Sequence, residues 1–130
     1  MIVDTSAIVA LVLDEDDSPS IAAVLASADD VRMSAASWLE AAVVLDGRRN
    51  PATNRQFDDL VAAIGLTVEP VTAVQAAEAR RAYRHFGRGS GHPARLNFGD
   101  CFAYALARTT GQPLLFKGDD FGHTDVAPAG

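Results

Sequence analysis

The sequence has little cysteine, no long apolar run and no early positive charge. Cys101 is the one cysteine among 130 residues, which excludes an internal disulfide framework and fits a reducing cytoplasm. No run of about 18 apolar residues and no basic-then-apolar leader is present, so we expect neither membrane insertion nor secretion. With 48% hydrophobic residues, the chain is expected to form a single domain over residues 1–130. Its formal net charge of −6 argues against a simple nucleic-acid-coating protein.

Positive charge is concentrated in one stretch of the chain. Seven acidic residues precede Arg32, the first basic residue, and the acidic run at 14–17 is interpreted as a solvated loop after a helix. Residues 80–95 contain five arginines and no acid. On a helix, Arg80, Arg84 and Arg88 share one face. This stripe is either a solubilising surface with buried alkyl stems or, beside an acidic pocket, a phosphate-binding surface.

Short apolar runs alternate with segments of helical periodicity. Strands are predicted at residues 1–4, 31–34, 66–71, 114–116 and 125–127. Helices are predicted at residues 7–13, 21–28, 37–45, around 57–64, at 73–86 and at 98–108. Short strands separated by helices require crossover connections. The predicted fold class is therefore α/β, with a mostly parallel sheet and helices on both faces.

The first predicted helix has more candidate caps than it needs. Thr5 or Ser6 can cap a helix that begins at residue 7. Asp4 can also act as a cap, but the helix does not require it. Among the acidic residues, Asp4 is therefore the one whose presence is least well explained by a helix cap.

Several carboxylates lie where a parallel sheet places its ligand crevice, beyond the carboxyl ends of the strands. Asp4 ends the first strand, and Asp119 and Asp120 follow the fourth. Asp100 opens a helix after a glycine-rich loop. Glu40 lies within an apolar helix, where a buried carboxylate is costly unless it is paired or bound to metal. If the first and fourth strands are neighbours, four carboxylates converge, and such oxygen ligands favour Mg²⁺ or Mn²⁺.

Most of these acids also have a structural interpretation. Glu40 follows Ser37 at the spacing of a capping box, and Asp100 follows Asn97 at the same spacing. The acids at 119–120 suit a turn after a glycine. The pattern alone leaves the metal site and the helix caps as open alternatives.

Four segments resemble the motifs of one protein family. They are MIVDTSA at the start, the apolar helix that contains Glu40, LNFGDCFAYA around Asp100, and PLLFKGDDF near the end. In this order they resemble a PIN-domain protein of the VapC type, the toxin of a VapBC toxin–antitoxin pair, over residues 1–126. The resemblance implies a three-layer α/β/α sandwich and a Mg²⁺- or Mn²⁺-dependent endoribonuclease that cleaves phosphodiester bonds with metal-activated water. It also implies a homodimer and a cognate VapB-type antitoxin.

The resemblance implies roles for individual residues. Asp4 and Asp100 are expected to be the principal metal ligands, and Glu40 completes the site. The fourth acid is Asp119 or Asp120, with Asp119 favoured because it lies closer to the strand end. The side chains expected to hydrogen-bond a ligand or a water molecule are Thr5, Ser6 and Asn97.

An acidic cluster repels RNA, so cations are required at its rim. The candidates are Arg80, Arg84, Arg88, Arg95 and Lys117.

Two other functions fit part of the pattern. One is a Mg²⁺-dependent phosphatase acting on small phosphoesters. Haloacid-dehalogenase-type phosphatases usually carry Asp-x-Asp after the first strand, whereas this chain has Asp4-Thr5-Ser6 there. The other is a non-catalytic PIN-like module that only binds partners.

Overall fold

The computed structural model describes all 130 residues as a small sheet with helices on both sides. The strands are β1 (Ile2–Val3), β2 (Arg32–Ser34), β3 (Thr67–Glu69) and β4 (Leu114–Leu115). The helices are α1 (Thr5–Val12), α2 (Ser18–Ala26), α3 (Ala35–Asp46), α4 (Pro51–Ala63), α5 (Ala73–Phe86) and α6 (Phe98–Thr110). A 3₁₀ turn covers Phe121–His123. No helix is long and apolar enough to cross a membrane.

All strand pairs are parallel, and the strand order is β3-β2-β1-β4. The chain builds the sheet outward from β1 to β3 and then returns to the other side of β1 to add β4. The direction of strand addition therefore reverses between β1 and β4. In open α/β sheets the ligand crevice lies at such a switch point, outside the carboxyl ends of the strands.

The central strands divide the core into two layers because successive strand side chains point to opposite faces. Ile2 and Leu114 pack into a buried cluster with α5 and α6. Val3 and Leu115 pack into a second buried cluster with α1 to α4. Both clusters are apolar, so the sheet is covered on each face. The predicted α/β fold with a parallel sheet is confirmed, and its three layers are those of an α/β/α sandwich.

The predicted last strand at 125–127 is wrong. The segment forms an isolated bridge between Leu114 and Pro128. The amide of Leu114 donates to the carbonyl of Ala127, and the amide of Ala129 donates to the carbonyl of Leu114. Neither hydrogen bond uses the nitrogen of Pro128, so proline is tolerated at this edge position.

Helix α3 provides a direct test of the core described above. Leu45 is fully buried, whereas Val43 on the same helix is 64% exposed. Leu45→Ala is expected to lower the free energy of unfolding by about 2–5 kcal/mol, because it removes buried contacts and leaves a cavity. Val43→Ala is the control and should change it by less than about 0.5 kcal/mol. Urea denaturation of both variants measures the difference. Equal effects would contradict this packing of α3.

Candidate active site

Asp4 directly follows β1 and is the N-cap of α1. Its Oδ2 accepts hydrogen bonds from the backbone amide of Ser6 at 3.0 Å and from the Ser6 hydroxyl at 2.7 Å. The prediction that Thr5 or Ser6 caps this helix is wrong, because the helix already begins at Thr5. The hydroxyl of Thr5 instead donates to the carbonyl of Ser37 at 2.9 Å, which ties α1 to α3.

Asp100 belongs to a complete capping box at the start of α6. The side chain of Asn97 accepts from the amide of Asp100 at 2.9 Å, and Oδ2 of Asp100 accepts from the amide of Asn97 at 3.0 Å. In both Asp4 and Asp100, Oδ2 serves a helix N-terminus while Oδ1 accepts no hydrogen bond from the protein. The capping role therefore leaves one oxygen of each carboxylate available to a ligand.

Glu40 reaches the same region from α3, but not for the reasons that the sequence suggested. The N-cap of α3 is Ser34, so Ser37 and Glu40 form no capping box. Glu40 is exposed, which corrects the expectation of a carboxylate buried among apolar side chains. Its carboxylate lies against Gly99, where an added Cβ would overlap both carboxylate oxygens. Gly99 therefore allows Glu40 to approach the first turn of α6.

The three carboxylates Asp4, Glu40 and Asp100 line one cleft of about 440 Å³ at the carboxyl ends of β1 and β4. The other lining residues are Thr5, Ser6, Val9, Glu15, Val44, Lys117 and Gly118. The cleft thus lies at the switch point of the sheet, between the N-termini of α1 and α6. Both N-termini favour negative charge, because their unpaired N–H groups carry partial positive charge.

Burial and mutual repulsion disfavour ionisation of the cleft carboxylates. The pKa of Asp4 is raised from 3.8 to about 6, mainly by burial. The hydrogen bonds from Ser6 oppose this rise, while the charges of Asp100 and Glu40 add to it. The pKa of Asp100 is also raised, first by burial and then by the charges of Asp120 and Glu40. A cation in the cleft would relieve both effects.

The donor atoms fit a hard divalent cation in part. Two carboxylate oxygens without hydrogen bonds suit Mg²⁺ or Mn²⁺, and Mg²⁺ commonly uses one or two carboxylates together with water and substrate phosphates. No three His, Cys, Asp or Glu side chains lie close enough together to hold an ion by themselves. A complete ligand set therefore needs oxygens from water or from a substrate beside Asp4 and Asp100.

Lys117 lies in the cleft but is already paired. Its ammonium group lies 2.5 Å from Oε1 of Glu15 and 3.7 Å from Oδ1 of Asp17. Its backbone amide donates to the hydroxyl of Ser6 at 2.9 Å, next to Asp4. Sequence reasoning missed this use of the acidic run at 14–17. The positions of the two residues could have predicted the pair, because Glu15 follows α1 and Lys117 follows β4 at the same edge of the sheet.

Asp119 and Asp120 are exposed, and neither lines the cleft. The charge of Asp120 raises the pKa of Asp100, so these two carboxylates are close enough to interact. The backbone carbonyl of Asp119 accepts a hydrogen bond from the amide of Gly122. Of the two, Asp120 is therefore the residue whose charge is seen to act on a cleft carboxylate.

Three of the candidate arginines lie together on a different surface. Arg80, Arg84 and Arg88 line a groove between α5 and α6. The predicted helical stripe is wrong for Arg88, because α5 ends at Phe86 and Arg88 follows in the loop. Arg88 still adjoins the cleft, since its charge lowers the pKa of Asp100. Arg95 is exposed and lines neither the groove nor the cleft.

The raised pKa of Asp4 has a measurable effect on stability. The folded protein binds a proton on Asp4 more tightly than the unfolded chain, so this contribution favours folding as the pH falls through about 6 and is lost above it. At pH 7.5 without divalent metal, ionised Asp4 costs up to about 3 kcal/mol. Asp4→Asn keeps an oxygen for Ser6 and removes the charge, so it should stabilise the protein at pH 7.5 and much less at pH 4.5.

Urea denaturation in EDTA at both pH values measures this difference. Asp16→Asn, at an exposed loop carboxylate, is the matched control and should have little effect at either pH. A destabilising effect of Asp4→Asn at pH 7.5 would contradict the account of Asp4.

Residues 1–127 match the PIN domain family. Ribonuclease VapC28 of Mycobacterium tuberculosis is 58% identical over 129 residues, which cover 99% of this chain and 97% of that protein. Ribonuclease VapC42 of the same species is 51% identical over 129 residues, with 99% and 98% covered.

A solved structure supports the fold independently. The crystal structure of M. tuberculosis VapC20, a sarcin–ricin loop cleaving toxin, matches with a TM-score of 0.76 at 22% identity. The match covers 97% of this chain and 95% of that chain. Together, the family match and the two ribonucleases show that this chain belongs to the PIN-domain family and, within it, to the VapC ribonucleases.

Proposed function

We propose that this protein is the toxin of a type II toxin–antitoxin pair and cleaves RNA internally with the help of Mg²⁺ or Mn²⁺. Membership in the VapC ribonucleases makes it an RNA-cleaving hydrolase. The observation that carries the proposal is the pair of capping carboxylates, Asp4 and Asp100, in one cleft at the switch point of the sheet. Each presents an oxygen that the fold does not use.

Ribonucleases of this family generally use a divalent metal. Asp4 and Asp100 are the residues that would hold it, and Glu40 is positioned across from them on α3. The bound cation would supply a water nucleophile at neutral pH and neutralise charge on the phosphate. Oxygen-only ligands favour Mg²⁺ and Mn²⁺ over softer metals.

The surrounding side chains hold the carboxylates in position. Ser6 donates to Asp4 and accepts from the amide of Lys117, so it links the ends of β1 and β4. Asn97 fixes the side chain of Asp100 through the capping box. Thr5 ties the start of α1 to α3, which carries Glu40. These hydrogen bonds orient the carboxylates before the substrate binds. The entropy cost of positioning these side chains during binding is therefore lower.

Asp120 is the better candidate for the fourth acid. Its charge acts on Asp100, one of the two carboxylates that would hold the metal. We assign Asp120 to the approach of the cleft, where it would act on the bound substrate or its water, and leave Asp119 as a turn residue.

RNA phosphates are assigned to the arginines that have no carboxylate partner. Arg80, Arg84 and Arg88 form no ion pair and line one groove next to Asp100. Lys117 is neutralised by Glu15, so it is a weaker phosphate ligand than its position suggested. Arg95 remains a peripheral candidate. Arginine binds phosphate with two parallel hydrogen bonds, which suits the unpaired set.

The proposed partner is a VapB-type antitoxin. A negatively charged cleft accepts a basic side chain from a partner, and apolar side chains are available beside it. Val44 lines the cleft, while Leu39 and Val43 are exposed on the same helix. We propose that this surface binds the antitoxin or a second copy of the chain as a homodimer, in the cytoplasm.

Substituting the metal-binding carboxylates tests the enzymatic proposal. Asp4→Asn or Asp100→Asn keeps the capping oxygen and removes the charge. Each should lower the kcat/KM for Mg²⁺-dependent RNA cleavage by more than about 100-fold. Removing a residue that only hydrogen-bonds a metal ligand costs about 10–100-fold, and removing the ligand itself should cost more. Asp120→Asn should lower the kcat/KM by roughly 10–100-fold, and Asp119→Asn is the neighbouring control.

Total RNA incubated with Mg²⁺ or with EDTA, followed by mapping of new ends, measures these rates. Cleavage by Asp100→Asn at the wild-type rate would show that the site is assigned wrongly. Turnover of p-nitrophenyl phosphate without RNA cleavage would instead support the small-phosphoester phosphatase.

The phosphate contacts have a separate test. Replacing Arg84 and Arg88 by alanine should reduce the slope of log K against log salt for single-stranded RNA by roughly 1.4, about 0.7 for each lost contact. Arg81 and Arg108 provide the control pair, since both already form ion pairs. Fluorescence anisotropy at several salt concentrations measures the slope. If the slope stays at its wild-type value in the first double variant, the groove does not bind phosphate.

A further inference from the structure

The groove between α5 and α6 combines unpaired positive charge with exposed aromatic rings. It encloses about 850 Å³. Its lining residues are Ala76, Ala79, Arg80, Tyr83, Arg84, Arg88, Asn97, Phe98, Cys101 and Phe102, with no acidic residue among them. The lining of this groove therefore differs from that of the acidic cleft, and the two surfaces are suited to different chemical groups of a ligand.

The aromatic side chains of this groove are not explained by core packing. Phe98 is 79% exposed at the first position of α6, and Tyr83 is 45% exposed on α5. The ring of Phe98 meets Phe102 edge to face, with centroids 4.9 Å apart. Despite this contact, Phe98 keeps most of its surface in solvent. A large exposed apolar surface of this kind commonly marks a binding site.

The arginines of the groove differ from other cations of the same helices. Arg81 on α5 pairs with Glu78, and Arg108 on α6 pairs with Asp125. The three groove arginines have no carboxylate within ion-pair distance. Charge complementarity therefore favours an anionic occupant, and the exposed rings require that occupant to have flat apolar faces as well.

We propose that the α5–α6 groove is a nucleobase-stacking subsite in which Phe98 stacks on an unpaired base next to the bond to be cleaved. The inference rests on the proposed ribonuclease function. Binding sites for single strands combine a positive groove with aromatic platforms, because every base has a face that can stack. Bases inside an A-form duplex are already stacked and cannot reach such a platform.

The position of Phe98 relative to the cleft defines which nucleotide it contacts. Phe98 lies between Asn97 and Gly99, directly beside the capping box that holds Asp100. Arg88, which also lines the groove, is close enough to Asp100 to lower its pKa. A phosphate on Arg88 and a base on Phe98 would therefore belong to nucleotides adjoining the cleft. The subsite selects RNA that is unpaired at this position.

The experiment measures stacking directly. The probe is a 12-nucleotide single-stranded RNA with one central 2-aminopurine, whose fluorescence falls when the base stacks. Binding is measured in Mg²⁺ with Asp4→Asn as the background to prevent cleavage, and the same RNA annealed to its complement is the duplex comparison. Phe98→Ala and Phe98→Leu remove the ring, while Phe98→Trp retains an aromatic face. Val74→Ala, at an α5 side chain that is 71% exposed outside the groove, is the matched control.

The proposal predicts that Phe98→Ala and Phe98→Leu weaken single-strand binding by about tenfold and abolish the 2-aminopurine quenching. Phe98→Trp and Val74→Ala should bind as the background does, and duplex binding should be equal in all variants. Unchanged affinity and quenching in Phe98→Ala would overturn the proposal. So would a loss of binding that accompanies a lower molar mass in light scattering, because Phe98 would then belong to an interface between two copies.

The binding test is independent of cleavage. If the wild-type protein does not cut RNA but Phe98→Ala weakens single-strand binding, the proposed enzymatic function fails and the subsite stands. If Asp100→Asn abolishes cleavage but Phe98→Ala stacks the probe normally, the function stands and the subsite fails.

Discussion

The structure depends on holding two like-charged carboxylates at one edge of a parallel sheet. Asp4 and Asp100 are held there because each caps a helix with one oxygen. The N–H groups at a helix N-terminus favour a negative charge, and this offsets part of the cost of burial. The offset is incomplete, since the pKa of Asp4 is still raised to about 6. We propose that the helix caps thereby create a site that a cation would complete.

This arrangement follows from the connection order of the sheet. The crossovers place β1 between β2 and β4, so the ends of β1 and β4 adjoin at the switch point. Ser6 joins these two ends by contacting Asp4 and the amide of Lys117. Gly99 allows α3 to bring Glu40 against α6 from the other side. Four segments that are distant in sequence thus meet at one cleft through backbone topology and a few small or polar side chains.

Much of this was predictable from sequence, and the exceptions have physical causes. The alternation of strands and helices predicted the sheet, and Asp4 and Asp100 were identified as acids at strand and helix ends. Ser34 and Ser37 are both residues that can cap a helix, and a residue pattern does not determine at which of the two the helical backbone begins. The exposure of Glu40 depends on which face of α3 packs inward. The pairing of Lys117 with Glu15 joins residues far apart in the chain, and only the folded sheet edge reveals it.

Charge in the molecule is divided between two adjoining surfaces. The overall charge of −6 conceals an acidic cleft on one side of Asp100 and an arginine groove on the other. In the proposed function an RNA strand uses both, because the groove would attract the phosphates that the cleft alone would repel. The distribution of charge, rather than its sum, therefore matches a ribonuclease.

The central claim is that a divalent cation binds the oxygens of Asp4 and Asp100 that the helix caps leave free. Anomalous diffraction from crystals soaked in Mn²⁺ tests this most directly. The account predicts an anomalous peak in the cleft in contact with Oδ1 of both residues, with both capping hydrogen bonds retained. An anomalous peak elsewhere in the protein, or none in the cleft at saturating Mn²⁺, would contradict it.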